Sequence, residues 1–319
     1  MKRTPLRRFA APAILALALT FVLAACGGQS GAASGEGLGG QVKLDGSSTV
    51  EPLSSATSEL FSEEKPEVEV TVGSSGTSGG FEAFCAGKTD ISDASRPIEP
   101  DEAKVCKQAG IEYTELQIAN DALTVVANKS FPVDCVTVEQ LNKIWAPEAE
   151  GKVTNWKQVD PSFPDMPLKL FGPGTDSGTF DYFTEEINGE EGVSRADYEA
   201  SEDDNVLVEG VANTKGAMGY FGYTYFEENA DKLKALEVDS GNGCVAPSPE
   251  TAQSGEYTPL ARPLFIYVNT KSYSEKPQVK AFTDFYVQNI ARITEAAKYI
   301  QLNDEQKQQL DDAHSQLGA

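Results

Sequence analysis

The chain has 319 residues, of which 40% are apolar and 24% charged, and this composition indicates a globular protein rather than a disordered one. Acidic residues outnumber basic ones 49 to 26, and the formal net charge is −23. This excess disfavours a nucleic-acid-binding surface, which needs clustered Lys and Arg to neutralise phosphates. The single histidine, His314, lies close to the C-terminal end. It disfavours a histidine-based zinc site and any Ser–His–Asp or Cys–His catalytic apparatus.

Residues 1–25 have the pattern of a signal peptide. A basic segment precedes the apolar stretch Ala13–Leu23, which is too short to span a bilayer comfortably. The stretch ends in Leu-Ala-Ala-Cys at Cys26, which resembles a bacterial lipobox, in which the cysteine is diacylated and becomes the mature N-terminus. The alternative is an ordinary secretory signal with a chance cysteine. Residues 26–40 are rich in Gly and Ser and predict a flexible tether.

Four further cysteines indicate disulfides, because an even set in an oxidising compartment normally pairs. Three pairings are possible, and we favour Cys85–Cys106 with Cys135–Cys244. The loop between the first two is short and lies within one apparent βαβ segment. A metal site is disfavoured because no two cysteines have the close spacing of zinc ligands.

Strands and helices alternate from Val42 onward, which predicts an α/β architecture with mostly parallel sheets. The predicted strands are Val42–Leu44, Val68–Val72, Thr89–Ser92, Leu123–Ala127, Leu168–Phe171, Ala217–Tyr220 and Leu264–Val268. The predicted helices are Val50–Glu64, Phe81–Ala86, Asp101–Ala109, Val138–Trp145, Thr179–Ile187, Gln278–Tyr299 and Asp304–Gln316. Capping boxes are predicted at Ser48 with Glu51 and at Thr137 with Gln140.

Three loops rich in Gly, Ser and Thr each join a predicted strand to a predicted helix: 45–49, 73–80 and 172–179. In open α/β sheets, ligands bind beyond the carboxyl ends of the strands, where helix N-termini present unpaired N–H groups that favour anions. Arg96 follows a fourth strand and adds a positive charge. Together these features predict an oxyanion pocket.

Two short motifs resemble enzyme signatures. Gly87-Lys88-Thr89 resembles the end of a phosphate-binding P-loop, but the glycine required five residues earlier is Glu82 and a helix precedes the motif. Gly76-x-Ser78-x-Gly80 matches the nucleophile elbow of serine hydrolases. A hydrolase using Ser78 therefore stays an alternative, although the one histidine is far away in the sequence.

Five segments together resemble the PstS-like phosphate-binding proteins of bacterial phosphate ABC importers. They are DGSSTVEP (45–52), GSSGTSGGFEAFCAGKTDISDASRPI (73–98), GPGTDSGTFDYF (172–183), GAMGYFGY (216–223) and ARPLFIYV (261–268). The resemblance runs from about Val42 to the C-terminus. It implies a type II periplasmic-binding-protein fold of two α/β lobes joined by two crossing strands, closing on a buried phosphate. We expect lobe 1 to be 41–124 plus 263–319, and lobe 2 to be 125–262.

The resemblance also implies a site made of hydroxyl groups and helix-terminal amides. The expected phosphate-binding residues are Ser48, Thr49, Val50, Ser75, Thr77, Ser78, Ser95, Arg96, Ser177, Gly178, Thr179 and Asp181. Pro173 and Ser95 stand where the enterobacterial type has an arginine and an aspartate, so Arg96 is expected to be the only side-chain cation of the pocket. Asp181, or second Asp176, is expected to replace the missing carboxylate that accepts the phosphate proton.

The expected function is that of a lipid-anchored extracytoplasmic receptor that is not an enzyme and needs no cofactor or metal. It would bind inorganic phosphate as a monomer and deliver it to the membrane permease subunits of an ABC importer. A receptor for another tetrahedral oxyanion, such as sulfate, is the second hypothesis.

Overall fold

The computed structural model describes residues 38–175 and 177–318. The predicted signal peptide, Cys26, most of the tether and Asp176 lie outside the described residues. Within them, no helix combines the length and the apolar character needed to cross a membrane.

The described residues form twelve strands and thirteen α-helices. The strands are β1 Gly40–Gly46, β2 Val68–Val72, β3 Ile91–Ala94, β4 Tyr113–Asn128, β5 Cys135–Thr137, β6 Lys169–Gly172, β7 Glu199–Ala200, β8 Ala217–Gly222, β9 Leu233–Ala235, β10 Glu237–Asp239, β11 Cys244–Val245 and β12 Ala261–Asn269. The helices are α1 Glu51–Glu64, α2 Gly76–Cys85, α3 Pro100–Ala109, α4 Val138–Trp145, α5 Trp156–Val159, α6 Gly178–Asn188, α7 Asp204–Asn213, α8 Tyr223–Glu228, α9 Pro249–Gln253, α10 Thr270–Glu275, α11 Pro277–Gln288, α12 Ile290–Ala296 and α13 Asp304–Leu317.

The main sheet has the strand order β2-β1-β3-β12-β4-β8-β6-β7, with β9 also pairing with β4. Pairing is parallel at both ends, in β2–β1–β3 and in β7–β6–β8. In the centre, β12 and β4 run antiparallel to each other and to their outer neighbours. The expectation of mostly parallel sheets is therefore wrong at the centre, where two long strands cross the molecule.

The apolar core divides along these two crossing strands. Buried residues from 42–119 and 264–317 pack around β1, β3, α1 and α11. Those from 122–260, joined by Ile300, pack around α4, α6 and β8. Leu116 and Leu123 of β4 thus belong to different cores. The fold is accordingly α/β, of the type II periplasmic-binding-protein kind, with two lobes joined by crossing strands.

Both predicted disulfides are present. Cys85–Cys106 joins α2 to α3 with Cα atoms 4.3 Å apart, and Cys135–Cys244 joins β5 to β11 with Cα atoms 6.0 Å apart. Each disulfide links two elements of the same lobe, so neither forms a covalent link between the lobes.

Three helix predictions need correction. α2 begins at Gly76 instead of Phe81, so half of the predicted loop 73–80 is the first turn of a helix. Val50 rather than Ser48 is the N-cap of α1, because the Ser48 hydroxyl donates to Asp181 in the other lobe. The predicted helix 278–299 is broken at Asn289. The capping box of α4 is confirmed: Gln140 N–H donates to Thr137 Oγ1 at 3.0 Å.

Candidate functional site

A polar cavity of about 410 Å³ lies where loops from both lobes meet the crossing strand β12. Eight of the twelve residues expected from the sequence line it. They are Ser48, Thr49, Ser75, Thr77, Ser78, Ser95, Arg96 and Asp181. The remaining lining residues include Glu185, Glu186, Glu191 and Arg262. The structure therefore brings most of the candidate set into one cavity, which we call the main cavity.

The four other candidates lie beside the main cavity. The expectation for the Val50 amide is wrong, because its N–H donates to the Ser47 carbonyl at 3.0 Å and its side chain is buried in the core of the first lobe. Ser177, Gly178 and Thr179 line an adjacent cavity of about 350 Å³, which Ser48 also lines. The start of α6 nevertheless packs directly on the first loop, since Thr49 Oγ1 donates to the Gly178 carbonyl at 3.4 Å.

Gly178 permits this close approach. A Cβ at this position would lie 3.0 Å from both Ser48 C and Thr49 N, which are backbone atoms of the opposing lobe. The glycine of the Ser-Gly-Thr segment thus allows the two lobes to meet at the edge of the main cavity.

The first turn of α2 presents hydroxyls and backbone N–H groups to the main cavity. Thr77 Oγ1 lies 3.0 Å from Ser95 Oγ and accepts from Ser95 N–H at 3.2 Å. A helix N-terminus carries about half a positive charge, and its first N–H groups have no intrahelical acceptors. This side of the main cavity is therefore suited to an anion.

Arg96 lies at the cavity wall in a fixed ion pair. Its two terminal nitrogens donate to the two carboxylate oxygens of Glu102, each at 2.8 Å, and Nη2 also donates to Ser78 Oγ at 2.9 Å. Burial raises the pKa of Glu102, but the hydrogen bonds from Arg96 and from the Glu99 N–H lower it further, to below its ordinary value. Arg96 therefore positions Ser78 while its charge is balanced by Glu102.

Arg262 corrects the expectation that Arg96 is the only side-chain cation. It lies on β12, and its side chain is 13% exposed and lines the main cavity. Its Nη2 donates to Thr49 Oγ1 at 2.6 Å. The residue lies in the segment 261–268 that resembles the family, just before the predicted strand Leu264–Val268. Its contacts are with Thr49, Asp121 and Tyr182, which are distant in the sequence, so no local pattern reveals them.

Asp181 lies in the main cavity on α6 and accepts a hydrogen bond from Ser48 Oγ at 3.2 Å. Burial raises its pKa above the ordinary value, while the Ser48 hydrogen bond and Arg262 oppose the rise. Burial also raises the pKa of Glu186 and Glu191, with neighbouring carboxylates adding to the effect. Asp181 is thus a carboxylate able to accept a proton from a bound ligand.

In residues 38–175 and 177–318, the Ser78 hydroxyl has no hydrogen bond to a histidine or carboxylate that would serve the hydrolase alternative as a general base. The Ser78 hydroxyl accepts from Arg96, which cannot remove a proton. His314 instead pairs with Asp284 at 2.8 Å, on helices of the first lobe. The hydroxyl and its arginine partner are suited to binding an anion.

A two-lobed α/β fold with a polar cavity at its crossing strands is typical of the class of periplasmic solute-binding proteins. Residues 31–289 match the family model described as the PBP superfamily domain. A chain similar in structure is "a possible phosphate binding protein" from Planctomyces limnophilus, with a TM-score of 0.84 and 48% identity, covering 88% of this chain and 99% of that one.

Proteins similar in sequence identify one family within this class. The protein SphX of Synechococcus elongatus is 50% identical over 262 residues, which cover 82% of this chain and 77% of that relative. The phosphate-binding protein PstS of Staphylococcus saprophyticus is 40% identical over 303 residues, covering 93% of this chain and 92% of that one. The chain belongs to the family of PstS-like phosphate-binding proteins.

Proposed function

We propose that this protein is an extracytoplasmic receptor that binds inorganic phosphate in the main cavity and delivers it to the permease of an ABC importer. The observation that carries the proposal is the main cavity itself, in which hydroxyls from three loops, a helix N-terminus and two arginines face one space between two lobes. Family membership supports phosphate as the ligand. The receptor acts as a monomer and performs no chemistry.

Phosphate would be held by hydrogen bonds that replace its water. The proposed donors are the hydroxyls that line the main cavity and the α6 residues Ser177, Gly178 and Thr179. Charge-assisted hydrogen bonds contribute roughly 1.5–3 kcal/mol each when buried. Because they act at contact distance, the acidic net charge of the chain does not prevent binding.

The proposed lobes are residues 41–124 with 263–319, and residues 125–262. The separation of the apolar cores along β4 and β12 supports these boundaries. The start of α6 and the loop 47–49 come from opposite lobes and touch through Thr49 and Gly178. Closure on phosphate would bring the α6 hydroxyls and amides toward the main cavity.

Asp181→Asn should reduce discrimination between phosphate and sulfate. Phosphate keeps a proton near neutral pH and can donate it to the Asp181 carboxylate, whereas sulfate has no proton and is repelled. We expect the wild type to bind labelled phosphate in the presence of a hundredfold excess of sulfate, and the variant to lose binding under the same competition. The exposed Asp101→Asn serves as the control.

Two outcomes would contradict this assignment. If the wild type itself loses labelled phosphate to sulfate, the protein is a receptor for another tetrahedral oxyanion. If both Asp181→Asn and the wild type resist sulfate equally, another group accepts the phosphate proton.

We further propose that Cys26 carries the lipid anchor. Two or three acyl chains hold a protein stably at a membrane, at about 0.8 kcal/mol per buried CH₂. In a bacterium that processes lipoproteins, the wild type should enter the membrane fraction and incorporate labelled palmitate, and Cys26→Ala should do neither. Equal labelling of both proteins would rule out attachment at this residue.

A further inference from the structure

Arg262 contacts groups from both lobes at the point where β12 crosses between them. Its Nη2 donates to Thr49 Oγ1 at 2.6 Å in the first lobe. Its guanidinium carbon lies 3.3 Å from the centre of the Tyr182 ring on α6, in the second lobe. Its Nε is 3.7 Å from Asp121 Oδ2 on the other crossing strand, β4. No other arginine among the described residues that line the main cavity makes contacts with both lobes and both crossing strands.

The two cavity arginines differ in how many of their donors are already used. The two terminal nitrogens of Arg96 donate to Glu102, Ser78 and the Pro97 carbonyl, whereas its Nε makes only an ion-pair contact, 3.7 Å from Glu99. For Arg262, the bond to Thr49 uses one of five N–H donors. The Nε of Arg262 is buried and has no hydrogen-bond partner within the described part of the chain. Asp121 Oδ2, 3.7 Å from this Nε, forms an ion pair with Arg262 but lies beyond hydrogen-bond distance.

We infer that Arg262, and not Arg96, supplies the principal positive charge to the anion in the main cavity. The inference rests on the proposed function and assigns the cation that the site requires. Arg96 then acts as a positioning residue, which holds the Ser78 hydroxyl toward the main cavity. Thr49, the partner of Arg262, belongs to the same set of proposed phosphate ligands.

The geometry favours a guanidinium at this place. A buried doubly charged anion is costly without a compensating charge, and a planar fork can donate to two of its oxygens at once. The guanidinium lies over the Tyr182 ring, and a lysine cannot reproduce the planar fork of donors. Because Arg262 lies on β12, its one side chain can contact the bound anion and residues of both lobes.

The test is calorimetric titration of the mature protein with inorganic phosphate. Arg262→Gln should weaken binding by about 100-fold or more, and Arg262→Lys by about tenfold. Arg96→Gln should weaken it less than Arg262→Gln does. The exposed Arg292→Gln, on α12, is the matched control and should bind as the wild type does.

A second measurement separates a direct role from a structural one. In Arg262→Ala, added guanidinium ions at millimolar concentration should restore part of the phosphate binding, whereas Arg96→Ala should show no rescue. If Arg262→Gln binds phosphate within fivefold of the wild type, or if only Arg96→Ala is rescued, the inference is overturned and phosphate binding stands. If the wild type itself binds no phosphate, both the proposed function and this inference are wrong.

Discussion

Gly46→Ala should lower the free energy of unfolding by about 3 kcal/mol or more, because the position has no room for a side chain. A Cβ there would lie 2.0 Å from the Asp93 carbonyl oxygen and 2.9 Å from Asp93 C and N, all backbone atoms of β3. Its φ of 150° is also one that residues with a side chain rarely adopt. The same contact brings Ser47 N–H to the Asp93 carbonyl at 2.9 Å, which fixes the start of the first loop.

Urea-induced unfolding measures this effect, with Gly222→Ala as the control. The nearest atom to a Cβ at Gly222 is Tyr225 Cδ2 at 3.8 Å, an ordinary van der Waals contact. Gly222→Ala should therefore stay within about 1 kcal/mol of the wild type. An equal loss of stability in both variants would contradict the packing described for β1 and β3.

Asp93→Asn should remove a pH-dependent loss of stability. The Asp93 carboxyl is fully buried, and neither of its oxygens has a hydrogen-bond partner in residues 38–175 and 177–318. Burial raises its pKa to about 8, with Glu51 and Asp45 adding to the rise and the nearby Ser54 hydroxyl opposing it. In the unfolded chain the pKa of an aspartate is about 3.9. Between these pKa values the folded state holds a proton that the unfolded state has released.

The free energy of unfolding of the wild type should therefore fall as the pH rises from about 4 to about 8, by up to about 1.4 kcal/mol per pH unit from this group. Below that window the contribution is fully present, and above it the contribution is lost. Asp93→Asn replaces the protonated acid with a neutral group, so its slope should be flatter by this amount. Urea unfolding at pH 5 and pH 8 measures the difference, with exposed Asp101→Asn as the control. Equal slopes for the wild type and Asp93→Asn would show that Asp93 is ionised in the folded protein.

The sequence predicts elements well where the signals are local. The α4 helix has its capping box and its bounds as predicted, because Thr137 and Gln140 lie within one turn. For β4, in contrast, the sequence predicts a strand only over Leu123–Ala127, although the strand begins at Tyr113. From Ile118 to Ala127 every residue of β4 is buried, since the strand crosses both lobes, and so the alternation that marks a half-exposed strand is lost.

Prediction of the candidate site from the sequence is limited to local features in the same way. The glycine- and serine-rich loops indicate an anion pocket because helix N-termini and small hydroxyls are local features. The contacts between Arg262 and Thr49, between Arg96 and Glu102, and between Thr49 and Gly178 are set by tertiary packing. For this reason the sequence predicts that the first two loops contribute to one cavity but misses Arg262 among the residues that line it.

Equilibrium dialysis of the purified mature protein against radiolabelled phosphate tests phosphate binding most directly. We predict saturable binding of one phosphate per chain, displaced by arsenate, which has the same shape and can also donate a proton, and not by sulfate. Equal concentrations of label in the protein and buffer compartments, at protein concentrations well above those of trace phosphate contamination, would contradict the proposal that this protein is a phosphate receptor.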